Sequence, residues 1–342
     1  MSIVHLAKDL GLSVSTVSRA LNGYSDVAEA TRERVMARAQ ALGYKPHPGA
    51  RRLKSGKSGA VGVVLPATPQ GGQFIDAMYS SLLGGTASVL EADGYSLMAT
   101  THGQCTSAQE ISLYENFIRS GWFDAFVIVR TRLDDPRITL AQQHRVPFVT
   151  YGRCSSATHY AWVDTDNEQA FYMAAQRQIG FGHRRIALLN GPAEYTFAQL
   201  RRTGYERALR EAHLPVRADW IVQGPVTENS GFTLATHLLA QPERPTALLC
   251  ATDSVAIGAM AACRAAGLRV GHDISIMGYG NSDAGGYANP PLTTIAHDVH
   301  ENGRRLGRVL LAVLAGQNPD SLHYLEPVVL VPRGSDGPAP SS

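Results

Sequence analysis

From Ala60 onward, short β-branched runs alternate with helical patterns over about 280 residues of a 342-residue chain. The runs predict strands at Ala60–Leu65, Tyr95–Thr100, Ala125–Val129 and Pro147–Thr150, then at Arg185–Asn190, Trp220–Val222, Ala247–Cys250 and Ile274–Met277. Helices fall between them, at Gln73–Ala92, Asn167–Ile179, Leu200–Ala212 and Ser254–Ala266 among others. Such alternation demands parallel sheets covered on both faces, and its length demands two of them. Ligands of open α/β sheets bind beyond the carboxyl ends of the strands, so a cleft between the two is the expected site.

The composition agrees. With 44% apolar and 18% charged residues the chain can bury real cores. Its longest apolar runs fall far short of the ~18 residues that cross a bilayer. The first residues, Met1-Ser2-Ile3-Val4-His5, lack the basic, apolar and cleavage regions of a secretion signal, which predicts a cytoplasmic protein with no membrane partner. Cys105, Cys154, Cys250 and Cys263 are widely spaced, which fits reduced thiols and neither zinc nor a disulfide framework.

The formal net charge of +2 hides an asymmetry. Residues 1–57 hold ten Lys/Arg against four Asp/Glu, net +6, and the remainder holds twenty-one against twenty-five, net −4. A basic module on a mildly acidic body suits a nucleic-acid-binding head, although charge alone fits a solvated basic face equally well.

The pattern inside the head decides. Ile3, Leu6, Ala7 and Leu10 form one apolar helix face that Gly11 stops. A second short helix begins after Ser13, a suitable N-cap, with Val17, Ala20 and Leu21 inward and Ser15, Thr16, Ser18 and Arg19 outward. A third spans roughly Ala28 to Leu42, with Val35, Ala39 and Leu42 on its core side. This is a helix-turn-helix, whose second helix enters the major groove. There Arg19 can fork onto a guanine edge while hydroxyls reach phosphates.

The runs Ser13–Gly23, Thr31-Arg32-Glu33-Arg34-Val35 and Leu42-Gly43-Tyr44-Lys45-Pro46 resemble the DNA-binding head of LacI/GalR-family repressors. The resemblance implies that Val14, Ser15 and Arg19 read bases and that Ser13, Thr16, Ser18, Asn22 and Tyr44 contact phosphates. Ala28 departs from it, standing where the family often has a Ser cap; losing such a cap costs about 1 kcal/mol.

Residues 46–58 are rich in Pro and Gly yet hold a possible short helix at Gly49–Lys54, too short to be stable alone. The segment resembles the family's hinge helix, which places Ala50, Leu53 and Lys54 on DNA. Leu53 falls where the family inserts an apolar wedge into the minor groove. Pro48-Gly49 departs from the alanine-rich family hinge.

The similarity continues through Gly180–Leu189, Gly267–Ser275 and Pro290–Ile295, which look like the family's effector domain, a fold shared with periplasmic sugar-binding proteins. It implies an N-terminal all-α helix-turn-helix head (1–45), a hinge (46–58) and an α/β core of two doubly wound parallel-sheet subdomains (59–333). The first subdomain is expected to hold about 59–160 plus 293–319, the second about 161–292 plus 320–333, with 334–342 a disordered tail. The effector residues it implies are Arg201, Phe74, Tyr195, Phe197 and Asp253, with Arg130 and His297 on pocket-facing strand ends. Asp253 could equally be an N-cap. Gly280 stands where the family commonly has an Asp, and Val226 replaces a common aromatic, so the pocket is reshaped. The segments Phe148–Arg153 and Arg130–Arg137 look like members that sense sugars or glycosides.

Other classes lack their constellations. Asp134-Asp135 and Asp164/Asp166 show no glycosidase spacing and read as solvated loop acids. His297 and His300 lack a third metal ligand nearby, and no nucleotide-binding motif is present, so no cofactor is expected. A transport-type sugar-binding protein would share the core but would carry a signal peptide and no helix-turn-helix. The expectation is therefore a non-enzymatic, homodimeric repressor of a pseudo-palindromic DNA operator, controlled by a small-molecule effector that is a sugar or glycoside.

Overall fold

The computed structural model describes residues 2–21, 23–44, 57–66, 77–102, 107–154 and 158–340. The expectations for Asn22, for Ala50, Leu53 and Lys54 of the hinge, and for Phe74 lie outside these residues.

Two units emerge, residues 1–59 and 60–342. In the first, α1 (Ile3–Leu10), α2 (Val14–Leu21) and α3 (Glu29–Ala41) enclose Leu6, Ala7, Val17, Ala20, Val35 and Ala39. Leu42 and Tyr44 pack against that core. The Ser13 hydroxyl caps α2 by accepting from the Thr16 N–H at 3.0 Å. Ala28 caps α3 without any side-chain bond, as its identity requires.

The second unit contains two six-stranded sheets. The first takes β1 (Ala60–Pro66), β2 (Ser96–His102), β3 (Ala125–Val129), β4 (Phe148–Tyr151), β5 (Ala161–Thr165) and β11 (His323–Glu326) in the order β11-β5-β4-β3-β1-β2. The second takes β6 (Ile186–Asn190), β7 (Ile221–Gln223), β8 (Ala247–Cys250), β9 (Ser275–Tyr279), β10 (Thr293–Ala296) and β12 (Val329–Val331) in the order β12-β10-β9-β8-β6-β7. All strand pairings are parallel except β10 with β12. Alternation along β1 sends Val61, Val63 and Leu65 to one apolar layer and Ala60 and Val64 to the other. Alternation along β6 does the same, with Ala187 and Leu189 opposed to Ile186 and Leu188. Both sheets are therefore buried on both faces, as parallel sheets must be.

The helices of this unit are α4 (Ala77–Ala92), α5 (Ser107–Ser120), α6 (Pro136–Gln143), α7 (Asn167–Gly180), α8 (Thr196–Glu211), α9 (Glu228–Leu239), α10 (Asp253–Ala265), α11 (Asp283–Gly286) and α12 (Val299–Leu314). Where α4 crosses α12, a Cβ on Gly85 would lie 2.1 Å from His300 O and one on Gly303 2.1 Å from Leu82 O. Only glycine permits backbones that close.

Strand pairing moves the expected subdomain boundaries. Residues 161–165 belong to the first sheet, because Ala161, Trp162 and Val163 register with Val149, Thr150 and Tyr151. Residues 293–296 belong to the second, beside β9, and 323–326 return to the first, beside β5. Each boundary shifts by one strand because these three short runs carry little pattern of their own.

The expected disordered tail is also corrected. Ser335 is fully buried: its hydroxyl donates to Ile276 O at 2.7 Å and accepts from the Thr293 N–H at 2.8 Å. Asp336 pairs with Arg177 and accepts from the Thr293 hydroxyl at 2.6 Å. His183, with no exposed surface, places Nε2 3.0 Å from Gly337 O and Nδ1 2.9 Å from the Thr246 hydroxyl. Small residues here make a docked strap, because main-chain and hydroxyl groups do the bonding. No helix among the described residues is long and apolar enough to cross a membrane.

Candidate functional site

In the head, Ser13, which precedes α2, and Val14, Ser15 and Arg19 of α2 are exposed, and Thr16 and Ser18 are half-buried. Arg19 is held in place: its guanidinium pairs with Asp26 and lies 5.1 Å from the Tyr24 ring centroid. Tyr44 packs its ring on the core of the head.

In the large unit, the carboxyl ends of both sheets open onto a cavity of about 670 Å³, within the usual ~300–1,000 Å³ of small-molecule sites. Arg130, Phe197, Arg201, Asp253, Gly280 and His297 all line it. Tyr195 does not. It precedes α8 as its N-cap and stacks on Phe197 at 5.7 Å between ring centroids, so it supports the wall from behind.

Arg201, buried on α8, donates from Nε to Asn167 Oδ1 at 2.9 Å and from Nη1 to Ala251 O. Its guanidinium lies 3.9 Å from the Tyr279 ring centroid and 4.7 Å from that of Phe197. Burial pulls its pKa below the ordinary arginine value, although Tyr279 and Asp164 favour the charge. Asp253 is not the N-cap of α10; Thr252 is, accepting from the Val255 N–H at 3.2 Å. The Asp253 carboxylate instead accepts from the Ser282 N–H and the Thr294 hydroxyl, both at 2.6 Å, and so fixes the loop after β9. Gly280 in that loop has φ +123, and a Cβ there would meet nothing within 4 Å, so the second lobe's wall is bare at this point.

His297 follows β10 and places Nε2 3.2 Å from the Tyr151 hydroxyl, while its buried Nδ1 has no hydrogen-bond partner. Burial, with Arg201 nearby, pushes its pKa down to about 4, so the ring is neutral at neutral pH. Burial also raises the Tyr151 and Tyr279 phenols above their usual value, which keeps both as neutral O–H groups. The Tyr279 hydroxyl lies 2.8 Å from that of Thr165, a contact between lobes.

Tyr151, Arg153, Asp164 and Tyr279 also line the cavity. Asp164, read as a solvated loop acid, is buried at the end of β5 and accepts from Arg153 Nε at 2.8 Å. Burial raises its pKa against the pull of Arg153. Asp135 is likewise buried, capping α6 and paired with Arg137. Asp166 is the N-cap of α7. Those four cavity residues all sit at or just past the carboxyl end of a strand, where open α/β sheets bind ligands, and the β5 run is too short to mark its own end in the sequence.

A three-helix reader followed by a two-lobed α/β core with a polar cleft defines a ligand-responsive DNA-binding regulator. Residues 2–47 match the model of bacterial regulatory proteins of the lacI family, and residues 175–335 match that of a periplasmic binding protein-like domain. The HTH-type transcriptional regulator AglR of Rhizobium meliloti (strain 1021) is 35% identical over 347 residues, covering 99% of this chain and 95% of the relative. RafR of Escherichia coli, also an HTH-type transcriptional regulator, is 32% identical over the full length of both chains. Among solved structures, the lac repressor dimer bound to operator and the anti-inducer ONPF superposes with a TM-score of 0.84 at 28% identity, covering 98% of each chain. The CelR–cellobiose complex gives 0.75 at 27% identity, covering 98% of this chain and 99% of the other. The chain belongs to the LacI family and is a DNA-binding transcriptional regulator.

Proposed function

We propose that two copies of this chain grip a pseudo-palindromic operator in the cytoplasm, and that a sugar or glycoside in the cleft sets the strength of that grip. The protein acts by coupled binding and catalyses no reaction. Val14, Ser15 and Arg19 read base edges; Ser13, Thr16, Ser18, Asn22 and Tyr44 hold phosphates; in the hinge, Leu53 wedges into the minor groove, Lys54 neutralises phosphate and Ala50 contacts DNA. The observation that carries the reading is Arg201, buried between the rings of Tyr279 and Phe197 at the wall of a polar cavity formed by both lobes. A ligand touching both lobes favours one arrangement of them, and the resulting bias reaches the head through the hinge. Its expected size is ~1–3 kcal/mol, reciprocal between effector and operator. The cellobiose bound to CelR supports a carbohydrate effector.

The test is a gel-shift titration on a selected operator with and without neutral sugars. Leu53→Ala is expected to weaken operator binding and spare sugar binding by the free protein. Arg201→Ala is expected to abolish the sugar response. Unchanged operator affinity in the first variant, or a normal response in the second, contradicts the assignment.

A further inference from the structure

We infer that Asp26 determines specificity in the reader: it holds Arg19 by one edge of the guanidinium and aims the other edge at a guanine. The inference deepens the assignment of Arg19 to the bases and rests on it. Arg19 Nε donates to Asp26 Oδ1 at 3.2 Å and Nη2 donates to Oδ2, a two-pronged contact between exposed side chains. A guanidinium carries five N–H donors in a fixed plane. Asp26 takes the pair on the side edge, Nε and one N–H of Nη2. The end edge carries another parallel pair, from Nη1 and the second N–H of Nη2, and among the described residues Nη1 makes no hydrogen bond with the protein. Guanine offers O6 and N7 as adjacent acceptors in the major groove, which match that pair. One arginine can therefore hold the carboxylate and the base at once.

The loop that carries Asp26 is fixed on both sides. After Gly23, which has φ +70, the Tyr24 N–H donates to Arg19 O at 3.2 Å and ties the loop to the end of α2. Val27, the next residue after Asp26, is buried in the core of the head. Arg32 of α3 donates from Nη2 to Tyr24 O at 2.9 Å and to Val27 O at 3.4 Å. The carboxylate thus stands on a set backbone, and the Tyr24 ring, 5.1 Å from the Arg19 guanidinium, supports the arginine from a second direction. Rotamer freedom given up before DNA arrives is not lost again on binding, so the contact with the base is strengthened.

Charge points the same way. Of the four acids in residues 1–57, Asp9 pairs with Arg38 and Glu29 with Arg32, both pairs outside α2. Asp26 instead pairs with a residue on the exposed side of α2, where a carboxylate works against a polyanion. A head selected for affinity alone would leave the charge of Arg19 to the phosphates. An exposed ion pair also adds little stability, so folding does not account for the acid. What Asp26 supplies is direction.

The experiment selects a duplex from a random library with the wild-type full chain. Competition assays then compare that duplex, forms of it with each base pair singly replaced, and a random duplex. The proteins are the wild type, Asp26→Ala, Asp26→Asn, Arg19→Ala and the double variant Arg19→Ala with Asp26→Ala. Arg19→Ala is expected to abolish the preference at one G·C pair in each half-site. Asp26→Ala is expected to lower the preference at that same pair about tenfold, with Asp26→Asn, which keeps one acceptor, falling between it and the wild type. Affinity for the random duplex is expected to hold or rise, because a negative charge has been removed. The double variant is expected to match Arg19→Ala in preference, since Asp26 acts only through Arg19. Melting temperatures check folding; should Asp26→Ala unfold, Asp26→Asn carries the test. An Asp26→Ala protein that keeps or sharpens its preference overturns the inference and leaves Arg19 on the base. An equal loss on every duplex makes Asp26 structural alone and overturns it as well. An Arg19→Ala protein that keeps every preference takes Arg19 off the bases and overturns this inference together with that part of the proposed function.

Discussion

Arg137 sits beneath the cavity wall with a side chain only 3% exposed. It forks onto Asp135 from Nε at 2.9 Å and Nη2 at 2.7 Å, and it donates from Nη1 to Glu110 at 3.0 Å and from Nη2 to Arg130 O at 3.0 Å. Burial alone would raise the Asp135 carboxyl, yet Arg137 and two backbone N–H groups hold it below its usual pKa. Arg137→Met preserves much of the volume, takes the arginine partner from buried Asp135 and removes one of the two arginines paired with Glu110. Breaking a buried pair from one side costs about 3–5 kcal/mol. For a unit of this size that is roughly 6–20 °C of melting temperature. The damage should also reach the site. The same segment carries Arg130 and Thr131 into the cavity and joins the opposite lobe through Leu133 N–H to Glu194 O at 3.1 Å and Thr196 N–H to Thr131 O at 3.0 Å. Scanning calorimetry with and without sugar measures both effects. Adding Asp135→Asn removes the orphaned charge but keeps an N-cap acceptor, so the double variant should melt above Arg137→Met. A single variant that loses less than about 1 kcal/mol, or a double variant that melts lower, refutes the reasoning.

Further expectations concern other parts of the molecule. His297 stays neutral in the fold down to about pH 4 but titrates near 6.5 when unfolded, so its contribution is complete above pH 6.5 and is lost as pH falls toward 4. That is worth about 3 kcal/mol, and His297→Gln should melt with a shallower acid-side slope than the wild type; parallel slopes between pH 7.5 and 4.5 count against it. Arg19→Lys should lose about 1–3 kcal/mol of discrimination at one base pair per half-site, read by competition with singly substituted duplexes, and equal discrimination would place Arg19 off the bases. Gly303→Ala should destabilise the first lobe by roughly 1–3 kcal/mol, because its methyl would press on Leu82 O; an unchanged melting temperature would show that α4 and α12 can part freely.

Much of this architecture was legible because period and position carry it. The head's inward set, Leu6, Ala7, Val17, Ala20, Val35 and Ala39, follows from helical spacing, and eight strands of the core follow from runs of Val, Ile and Leu. The strands that went unread, β5, β10, β11 and β12, are short and owe their existence to neighbours: β11 pairs with β5 alone and β12 with β10 alone. Missing β5 hid Asp164, since an acid is recognisable as a cavity residue only once its strand end is known. Arg137 and Asp135 were unreadable for another reason. Two residues apart in a polar loop they resemble solvent-facing charges, and only the fold shows Tyr114 and the apolar wall that bury them.

The strap formed by residues 333–339 has a practical consequence. A designer shortening this gene at Pro332, guided by the run of Gly, Ser, Pro and Ala beyond it, would delete the acceptor at Gly337 and the carboxylate at Asp336. Arg177 and His183 would then lose partners, and Ile276 and Thr293 of the sheet that frames the cleft would lose the Ser335 hydroxyl. Affinity tags meant to leave that sheet undisturbed should follow the last docked residue, Ala339, whose N–H donates to Phe181 O at 2.9 Å, rather than replace the strap.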